Sequence, residues 1–285
     1  MKVGAFYFPT DYGIDVAELA RALEDRGFRS LYVPEHTHIP LSRRSPFPGG
    51  GELPKRYSHT HDPLVALAFA AAATKKLIVG TGIMLVPQHD PIVTAKAIAS
   101  LDALSGGRFV FGIGAGWNED EMENHGVAFK TRFRKMRDYV LAMKAIWTQE
   151  EAAYKGEFIQ FDRMWSWPKP HQRPHPPIIL GGESDHTLSR IVEYCDGWLP
   201  RTRAGFNPGE AVERLKKMAD SKGRNFKDLS ITVFGAPNKQ EALDSYRKVG
   251  IQGALLAVPD GTRDEILQFL DKVAPLAQAQ TKAAA

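Results

Sequence analysis

The stretch from Leu77 to Asn118 constrains the fold more than any other part of this chain of 285 residues. It reads LIVGTGIMLVPQHDPIVTAKAIASLDALSGGRFVFGIGAGWN, with two apolar runs that end in glycines on either side of a helical segment. Apolar runs of this kind are typical of parallel strands that are buried on both faces. Glycines at the carboxyl ends of such strands leave bare backbone where a ligand can approach. The stretch therefore predicts a strand–helix–strand unit with a ligand site at the strand ends.

The same alternation of strand and helix continues along the chain. Asp62-Pro63 and Asp90-Pro91 each supply an N-cap and a proline at the first helical position. The predicted strands are Lys2–Phe8, Ser30–Pro34, Leu77–Met84, Phe109–Gly114, Ile178–Leu180, Gly197–Leu199, Leu229–Phe234 and Ala254–Val258. The predicted helices include Asp15–Arg26, 62–74, one starting at 90, Arg132–Thr148, Pro208–Ser221, Lys239–Val249 and Thr262–Val273. Eight strand–helix units predict an α/β fold, a single (β/α)8 TIM barrel, with a doubly wound open sheet as the alternative.

The barrel domain is predicted to cover residues 1–276, followed by a flexible tail over 277–285. Two connections are longer than a minimal barrel needs. One is the loop 36–61 after the second strand, and the other is the insertion 150–177, with a hairpin around Tyr154–Phe161. Because long loops are often functional, both are expected to be lids over a site at the carboxyl ends of the strands. Trp165 and Trp167 are expected either to line a substrate pocket or to pack the hairpin onto the barrel.

Composition excludes several classes of protein. The net charge of +4 mildly favours anionic ligands, but no basic run is interleaved with aromatic residues, so no nucleic-acid partner is expected. The single cysteine, Cys195, excludes an internal disulfide and reads as a buried thiol. The pairs His36/His38 and His59/His61 lack a carboxylate cluster, so no metal site is expected. No apolar run approaches the roughly 20 residues of a membrane span, and the amino terminus reads as a strand, so we expect a cytoplasmic protein without membrane contact.

Three segments of the sequence resemble the bacterial luciferase-like superfamily of flavin- and deazaflavin-dependent enzymes. They are Tyr32-Val33-Pro34-Glu35-His36, the stretch from Leu77 to Asn118, and Pro177-Ile178-Ile179-Leu180-Gly181-Gly182 with Asp196-Gly197-Trp198 beyond it. Within the superfamily the chain most resembles the branch that uses coenzyme F420. The resemblance implies hydride transfer between F420 and a small organic substrate, in a homodimer. It leaves two alternatives: an FMN-dependent monooxygenase that uses oxygen and a partner reductase, and a non-catalytic flavin- or deazaflavin-binding protein.

The resemblance also implies roles for particular residues. His36 would lie beside the redox ring and take part in proton transfer. From its place in the strand, Glu35 is expected to point the other way and bond structurally, the alternative being a pair with His36 that tunes the pKa of the histidine. Gly82-Ile83 would form a strand-end bulge, often with a non-proline cis peptide bond, that supports the ring. The structural alternatives are a loop histidine that is hydrogen-bonded to backbone and glycines that let the strand bend.

Two more glycine turns complete the predicted site. Gly114-Ala115-Gly116-Trp117 would approach the ligand, although some deazaflavin dehydrogenases carry a glutamate near the position of Trp117, which argues against sugar-phosphate dehydrogenation here. Gly181-Gly182-Glu183-Ser184 would hold the cofactor phosphate, the alternative being a turn that Ser184 or Asp185 caps. The predicted cofactor-binding residues are His36, Gly82, Ile83, Gly114, Ala115, Gly116, Trp117, Gly181, Gly182 and Ser184, and His36 is also the predicted catalytic residue. Weaker candidates for anion binding, or plain surface cations, are Arg201, Arg203, Arg43, Arg44, Lys55 and Arg56.

Overall fold

Strands and helices alternate through residues 1–203 and 205–282, the part of the chain that the computed structural model describes. The strands are β1 (Lys2–Phe6), β2 (Ser30–Val33), β3 (Ile78–Thr81), β4 (Met84–Leu85), β5 (Phe109–Gly114), β6 (Ala152–Lys155), β7 (Gln160–Met164), β8 (Ile178–Gly181), β9 (Gly197–Leu199), β10 (Ser230–Phe234) and β11 (Gly253–Ala257). The helices are α1 (Val16–Asp25), α2 (Arg56–His59), α3 (Pro63–Ala72), α4 (Pro91–Leu104), α5 (Glu119–Asn124), α6 (Arg132–Thr148), α7 (Asp185–Tyr194), α8 (Pro208–Ser221), α9 (Gln240–Lys248) and α10 (Arg263–Lys282). Short 3₁₀ turns occupy Val86–Gln88, Phe129–Thr131 and Phe226–Asp228.

Eight of these strands form a closed parallel barrel. Around the barrel they run β1, β2, β3, β5, β8, β9, β10 and β11, and β11 pairs again with β1. The pairing of β3 with β5, through Val79–Phe109 and Gly80–Val110, joins the two halves. At least one helix follows every barrel strand. The predicted (β/α)8 barrel is confirmed, and the doubly wound open sheet is wrong.

The ends of the predicted strands lie within two residues of those in the structure, except at the third strand. There the predicted run Leu77–Met84 is divided into β3 and β4, and the peptide bond between them, Gly82–Ile83, is cis. Beyond this bond β4 pairs with the last two residues of β5. The cis bond that the resemblance implied is therefore present at the predicted position.

Alternate side chains on the strands pack into two separate cores. In β2, Leu31 and Val33 point outward and pack against the surrounding helices, whereas Tyr32 points into the barrel. This follows from the two-residue repeat of a β-strand. The inner core consists of Phe6, Phe8, Tyr32, Ile179, Leu199 and Leu255, with Ile83, Val110 and Phe234 against it. Three of these residues, Ile83, Leu199 and Phe234, also line the cavity described below.

The last helix is longer than predicted. It was expected to end at Val273, but α10 continues through Pro275 to Lys282. Val273 and Ala277 are buried in the outer core, so continued packing against the barrel extends the helix. The segment expected to be a flexible tail is thus helical over 277–282, and residues 283–285 lie outside the described part of the chain.

The two long connections lie at opposite ends of the barrel. The loop 36–61 is at the carboxyl ends of the strands, as predicted. The insertion 150–177 follows helix α6, so it lies at the amino ends, where Gln172 donates to the backbone oxygen of Phe109 at the start of β5 (2.7 Å). The expectation that this insertion is a lid is therefore wrong, although its hairpin, β6–β7, is confirmed.

The five tryptophans occupy three different environments. Trp147 and Trp198 are fully buried, and Trp117 is half-buried at the carboxyl ends of the strands. Trp165 and Trp167, in the insertion, are exposed by 74% and 55%. Both predictions for the last two side chains, lining a pocket or packing the hairpin, are wrong.

Cys195 is fully buried, and burial raises the pKa of its thiol, as expected of a structural cysteine. Among the helices of residues 1–203 and 205–282, none combines the length and the apolar character needed to cross a membrane.

Candidate active site

A cavity of about 310 Å³ opens at the carboxyl ends of β3, β5 and β8. Eight of the ten residues predicted to bind a cofactor line it: Gly82, Ile83, Gly114, Ala115, Gly116, Trp117, Gly181 and Gly182. The structure therefore brings together three glycine-containing strand ends that are far apart in the sequence. The cavity is also lined by Phe133, Thr187, Leu199, Arg201 and Phe234. Of these, only Arg201 was among the sequence candidates, because the others have no local pattern beyond that of core residues.

The missing side chain of Gly114 decides the shape of one cavity wall. A Cβ atom at this position would lie 2.4 Å from Cδ1 and 2.9 Å from Cγ1 of Ile83. The Ile83 side chain therefore occupies the space that an alanine at 114 would need. Glycine at 114 thus leaves room for the Ile83 side chain at the strand end.

Gly182 has a different requirement. Its φ angle is +119°, a conformation that L-residues rarely adopt, and it directs the chain from β8 into α7. Ser184 is the N-cap of α7: its hydroxyl accepts a hydrogen bond from the backbone N–H of Thr187 and contacts Thr187 Oγ1 at 3.0 Å. Ser184 itself does not line the cavity, but Thr187, bound to it, does.

A second cavity, of about 480 Å³, adjoins the first on the outside. Trp117 and Arg201 line both cavities, so they form the boundary between them. The remaining lining residues are Phe47, Pro48, Gly49, Tyr57 and Arg203. The rings of Phe47, Tyr57 and Trp117 meet at steep angles, 72° for the first pair and 65° for Phe47 with Trp117, so they form walls and do not stack.

His36 lies behind these aromatic walls. Its ring centre is 5.2 Å from that of Tyr57 and 5.8 Å from that of Trp117, and only 8% of the residue is exposed. His36 Nδ1 is 2.8 Å from Oε2 of Glu121, a fully buried carboxylate in α5. The predicted catalytic histidine is therefore next to the site without lining either cavity. Glu121 was not predicted, because nothing in the sequence marks a partner 85 residues away.

Glu35 makes a second histidine–carboxylate pair that points the other way. One oxygen accepts from the backbone N–H of Leu85, and the other lies 2.7 Å from Nε2 of His89. Burial alone would lower the pKa of His89, but the hydrogen bond and charge of Glu35 outweigh it and raise this pKa. The prediction that Glu35 bonds structurally is confirmed. Within 1–203 and 205–282, no three His, Cys, Asp or Glu side chains are arranged to hold a metal ion.

The loop 36–61 is fastened to α5 by Asp120. This buried carboxylate accepts hydrogen bonds from the hydroxyls of Ser42 and Ser45 and from the backbone N–H of Arg44. The hydrogen bond from Ser42 is the largest of the effects that hold the pKa of Asp120 well below its usual range. The guanidinium of Arg44 pairs with Glu123 on the same helix. These bonds hold the loop that carries Phe47 over the outer cavity.

Two sets of arginines flank the cavities. Arg201 forms a two-point pair with Glu183 (2.8 and 2.7 Å). Burial by itself raises the pKa of Glu183, but the bonds and charge of Arg201 lower it further than burial raises it. At the other end, the guanidinium groups of Arg132 and Arg190 lie 4.5 and 4.1 Å from the ring centre of Phe133, which lines the inner cavity.

Arg132 and Arg190 are not paired with carboxylates within the described residues. Burial lowers the pKa of Arg132, and the positive charge of Arg190 lowers it further. Two cations this close are suited to an anion between or beside them. Nothing in the sequence marks this pair of arginines, since Arg132 reads as the start of a helix. By contrast, three of the other basic candidates are already engaged: Arg44, Arg56 with Asp260, and Lys55 over the ring of Tyr12.

The family model for luciferase-like monooxygenases matches residues 10–283, so the chain belongs to this family of oxidoreductases and monooxygenases. Among curated proteins, Rv0953c of Mycobacterium tuberculosis, an uncharacterized protein, is 39% identical over 280 residues, which are 96% of this chain and 98% of that one. The FMNH2-dependent dimethylsulfone monooxygenase of Pseudomonas putida is 31% identical over 163 residues, 56% of this chain and 43% of that protein.

Solved structures share the fold at low sequence identity. Monooxygenase RslO1 of Streptomyces bottropensis superposes with a TM-score of 0.78 at 19% identity, covering 99% of this chain and 100% of its own. An F420-dependent secondary alcohol dehydrogenase superposes with a TM-score of 0.76 at 15% identity, covering 97% and 98%. The same barrel therefore occurs in a monooxygenase and in an F420 enzyme.

Proposed function

We propose that this chain is an oxidoreductase that binds coenzyme F420 in the inner cavity and transfers a hydride between it and a small organic substrate. One observation carries the proposal: the strand ends Gly82–Ile83, Gly114–Trp117 and Gly181–Gly182 converge on one cavity. Together they supply bare backbone on one side and apolar side chains on the other. That combination suits a flat ring with polar edges.

The residues at the inner cavity fit a tricyclic ring joined to a phosphate. Ile83, packed against Gly114, would support one face of the ring. At the far end, the turn that contains Gly182 and Thr187, with Arg132 and Arg190 nearby, would hold the phosphate. Ser184 was predicted to bind the cofactor itself. Here it would act indirectly, by holding Thr187 in place through the contact between their hydroxyl groups.

The charge beyond the ring cavity favours F420 over FMN. Arg201 and Arg203 both line the outer cavity, and Glu183 pairs with one of them, so an excess of positive charge remains at the mouth. FMN ends at its phosphate, whereas F420 continues into an acidic tail. A net positive rim beyond the phosphate site suits the longer, more acidic cofactor.

A bound deazaflavin supplies the carbon centre that gives or takes the hydride. The protein supplies the surroundings. Phe47, Tyr57 and Trp117 would hold the substrate against the ring and exclude water. His36, in contact with two of these rings, would pass a proton to or from the substrate side of the site.

An FMN-dependent monooxygenase is the second candidate. The relative from Pseudomonas putida is named as FMNH2-dependent, and RslO1 is named as a monooxygenase. In that case the same cavity would hold reduced flavin that a partner reductase delivers, and the bound flavin would supply the chemistry with oxygen. The glycine-lined cavity alone suits either ring.

A binding titration separates the candidates. Purified protein is titrated with coenzyme F420 and, separately, with FMN, and the fluorescence of each ligand is followed. We expect saturable binding of F420 that is at least ~10-fold tighter than that of FMN. Tighter binding of FMN would support the monooxygenase. If neither ligand binds to the folded protein, the proposal is wrong. If F420 binds but no substrate is turned over with any electron donor or acceptor, the chain is a non-catalytic binding protein.

A further inference from the structure

We propose that Glu121 is the positioning residue for His36: it keeps a hydrogen on Nδ1, so that Nε2 is the nitrogen that exchanges a proton with the site. The use of that proton rests on the proposed function. The assignment of the hydrogen does not, and it can be tested without any cofactor.

The contact between the two residues leaves little freedom. Glu121 Oε2 lies 2.8 Å from His36 Nδ1, and relative exposure is 0% for Glu121 and 8% for His36. An ionised carboxylate can only accept hydrogen bonds, so Nδ1 must be the donor. The partner of Nδ1 decides which tautomer a neutral histidine adopts. The geometry therefore assigns the hydrogen to Nδ1, whether the ring is neutral or charged.

The other ring nitrogen is left free to react. Nε2 of His36 has no hydrogen-bond partner in the described part of the chain, and it is not among the side-chain atoms that are wholly cut off from solvent. The ring also contacts Tyr57 and Trp117, which line the outer cavity. A nitrogen that has no hydrogen-bond partner and belongs to a ring beside the site is suited to give or take a proton.

The bonding of Glu121 is poor for a residue with a purely structural role. Its second oxygen, Oε1, is buried without a partner in residues 1–203 and 205–282. An unsatisfied buried carboxylate oxygen costs free energy. The adjacent pair provides the contrast, because both oxygens of Glu35 are bonded, one to backbone and one to His89. Glu35 has the complete bonding of a structural residue, and Glu121 does not.

The tautomer of His36 can be measured by NMR. Protein labelled with ¹⁵N-histidine is studied near pH 8, where a multiple-bond ¹H–¹⁵N spectrum distinguishes the two ring nitrogens. Loss of one set of signals in His36→Asn identifies those of His36. We expect a hydrogen on Nδ1, in either the neutral or the charged ring. A neutral ring with its hydrogen on Nε2 would overturn the proposal, and this measurement needs no Glu121 variant to fold.

Two Glu121 variants and a matched control test the cause. Glu121→Met removes the acceptor at similar volume, so the hydrogen should no longer be held on Nδ1. Glu121→Gln keeps an acceptor oxygen, so the wild-type pattern should return. Glu35→Gln, one residue from His36 in the sequence, should leave the His36 signals in the wild-type pattern. An unchanged His36 spectrum in folded Glu121→Met, or a changed one in Glu35→Gln, would contradict the assignment.

A kinetic arm connects the assignment to the proposed function. With F420 and an accepted substrate, we expect Glu121→Met to lower kcat by about 10- to 100-fold with KM changed much less, as for supporting residues at other sites. Equal kcat in the variant and the wild type would overturn the proton-transfer role. If the wild type does not bind F420, the proposed function fails, while the NMR result still decides the position of the hydrogen.

Discussion

At the scale of single residues, the inner cavity depends on close contact between side chains and bare backbone. Gly114 and Ile83 are the clearest case, because one residue has no side chain where the other needs the space. Packed regions of proteins tolerate added volume poorly, and an extra methyl group displaces its neighbour. Here the neighbour can move only into the cavity or against the barrel wall.

Gly114→Ala should weaken cofactor binding. The new methyl group would push Ile83 out of its position at the strand end, at a cost of the order of 1–3 kcal/mol. We expect about a 10-fold rise in the Kd for F420, measured by ligand fluorescence. Gly209→Ala is a matched control in α8, where the added Cβ has ordinary contacts at 3.4 Å, and it should bind F420 as the wild type does. Equal affinity in Gly114→Ala would mean that Ile83 does not shape the site.

The His89–Glu35 pair should make part of the stability depend on pH. The pKa of His89 is raised in the folded protein, so the pair stabilises fully below the ordinary histidine pKa of about 6.5. That contribution is lost as the pH rises through the folded value. We expect the free energy of unfolding of the wild type, from urea denaturation, to fall over this range more than that of His89→Gln. Parallel pH curves for the two proteins would contradict the raised pKa.

Residues within one segment were predicted better than residues that meet across the fold. Gly82 and Gly114 each follow an apolar run, so their place at a strand end could be predicted from the sequence. Glu121, Arg190 and Phe133 look like ordinary helix residues, and only the closed barrel brings them to the site. The glycines at each strand end could therefore be predicted from the sequence. The helix residues that meet them at the site could not.

At the scale of elements, the two long connections lie at opposite ends of the barrel because they follow different kinds of element. A connection that follows a strand lies at the carboxyl end of the barrel, and one that follows a helix lies at the amino end. The prediction that both connections lie at the carboxyl ends of the strands considered only which strand each one follows and overlooked helix α6 before the second connection. The boundary of α6 at Thr148, which was predicted correctly, already implied the position of the second connection.

Loss of the Asp120 carboxylate should free the loop 36–61. Asp120→Asn would weaken the bonds from Ser42, Ser45 and Arg44, which are bonds to a charged group of about 1.5–3 kcal/mol each. We expect cleavage by trypsin within the loop, followed by mass spectrometry, to become about 10-fold faster.

The control for this loop is on the same helix. Glu123→Gln removes only the exposed pair with Arg44 and keeps Asp120, so the cleavage rate should change less than about twofold. If the two variants are cleaved equally fast, Asp120 does not fasten the loop.

At the scale of the whole molecule, we propose that the protein is a homodimer through α3 and α4. Val65 and Phe69 on α3 and Val93 on α4 are largely exposed, with Phe69 at 60%. Large apolar side chains clustered on neighbouring surface helices are typical of interfaces. The family resemblance implies the same state.

Phe69→Glu should separate the subunits. A carboxylate in an apolar interface would lose its hydration without a partner, so we expect sedimentation velocity to show a dimer for the wild type and mostly monomer for the variant. Leu41→Glu, at an apolar position in the loop 36–61 that is still more exposed (97%), should remain dimeric. A wild type that sediments as a monomer would overturn the proposal.

The overall architecture could be predicted because the barrel repeats one local pattern eight times. Each error in the strand ends was small, since the apolar runs that define them are buried on both faces. The division of Leu77–Met84 at the cis bond and the extension of α10 past Pro275 depend on packing against other parts of the chain. No local pattern encodes such contacts.

The placement of the tryptophans gives the protein a built-in optical reporter. Trp165 and Trp167 are open to a water-soluble quencher such as acrylamide, and Trp147 and Trp198 are enclosed in the cores. Trp117 alone of the five borders both cavities in the described part of the chain. With the two outer indoles quenched, light absorbed by Trp117 can pass to a bound ring that absorbs at longer wavelength. Excitation of the protein would then make the ligand itself emit, and the arrival of each molecule in the barrel could be timed.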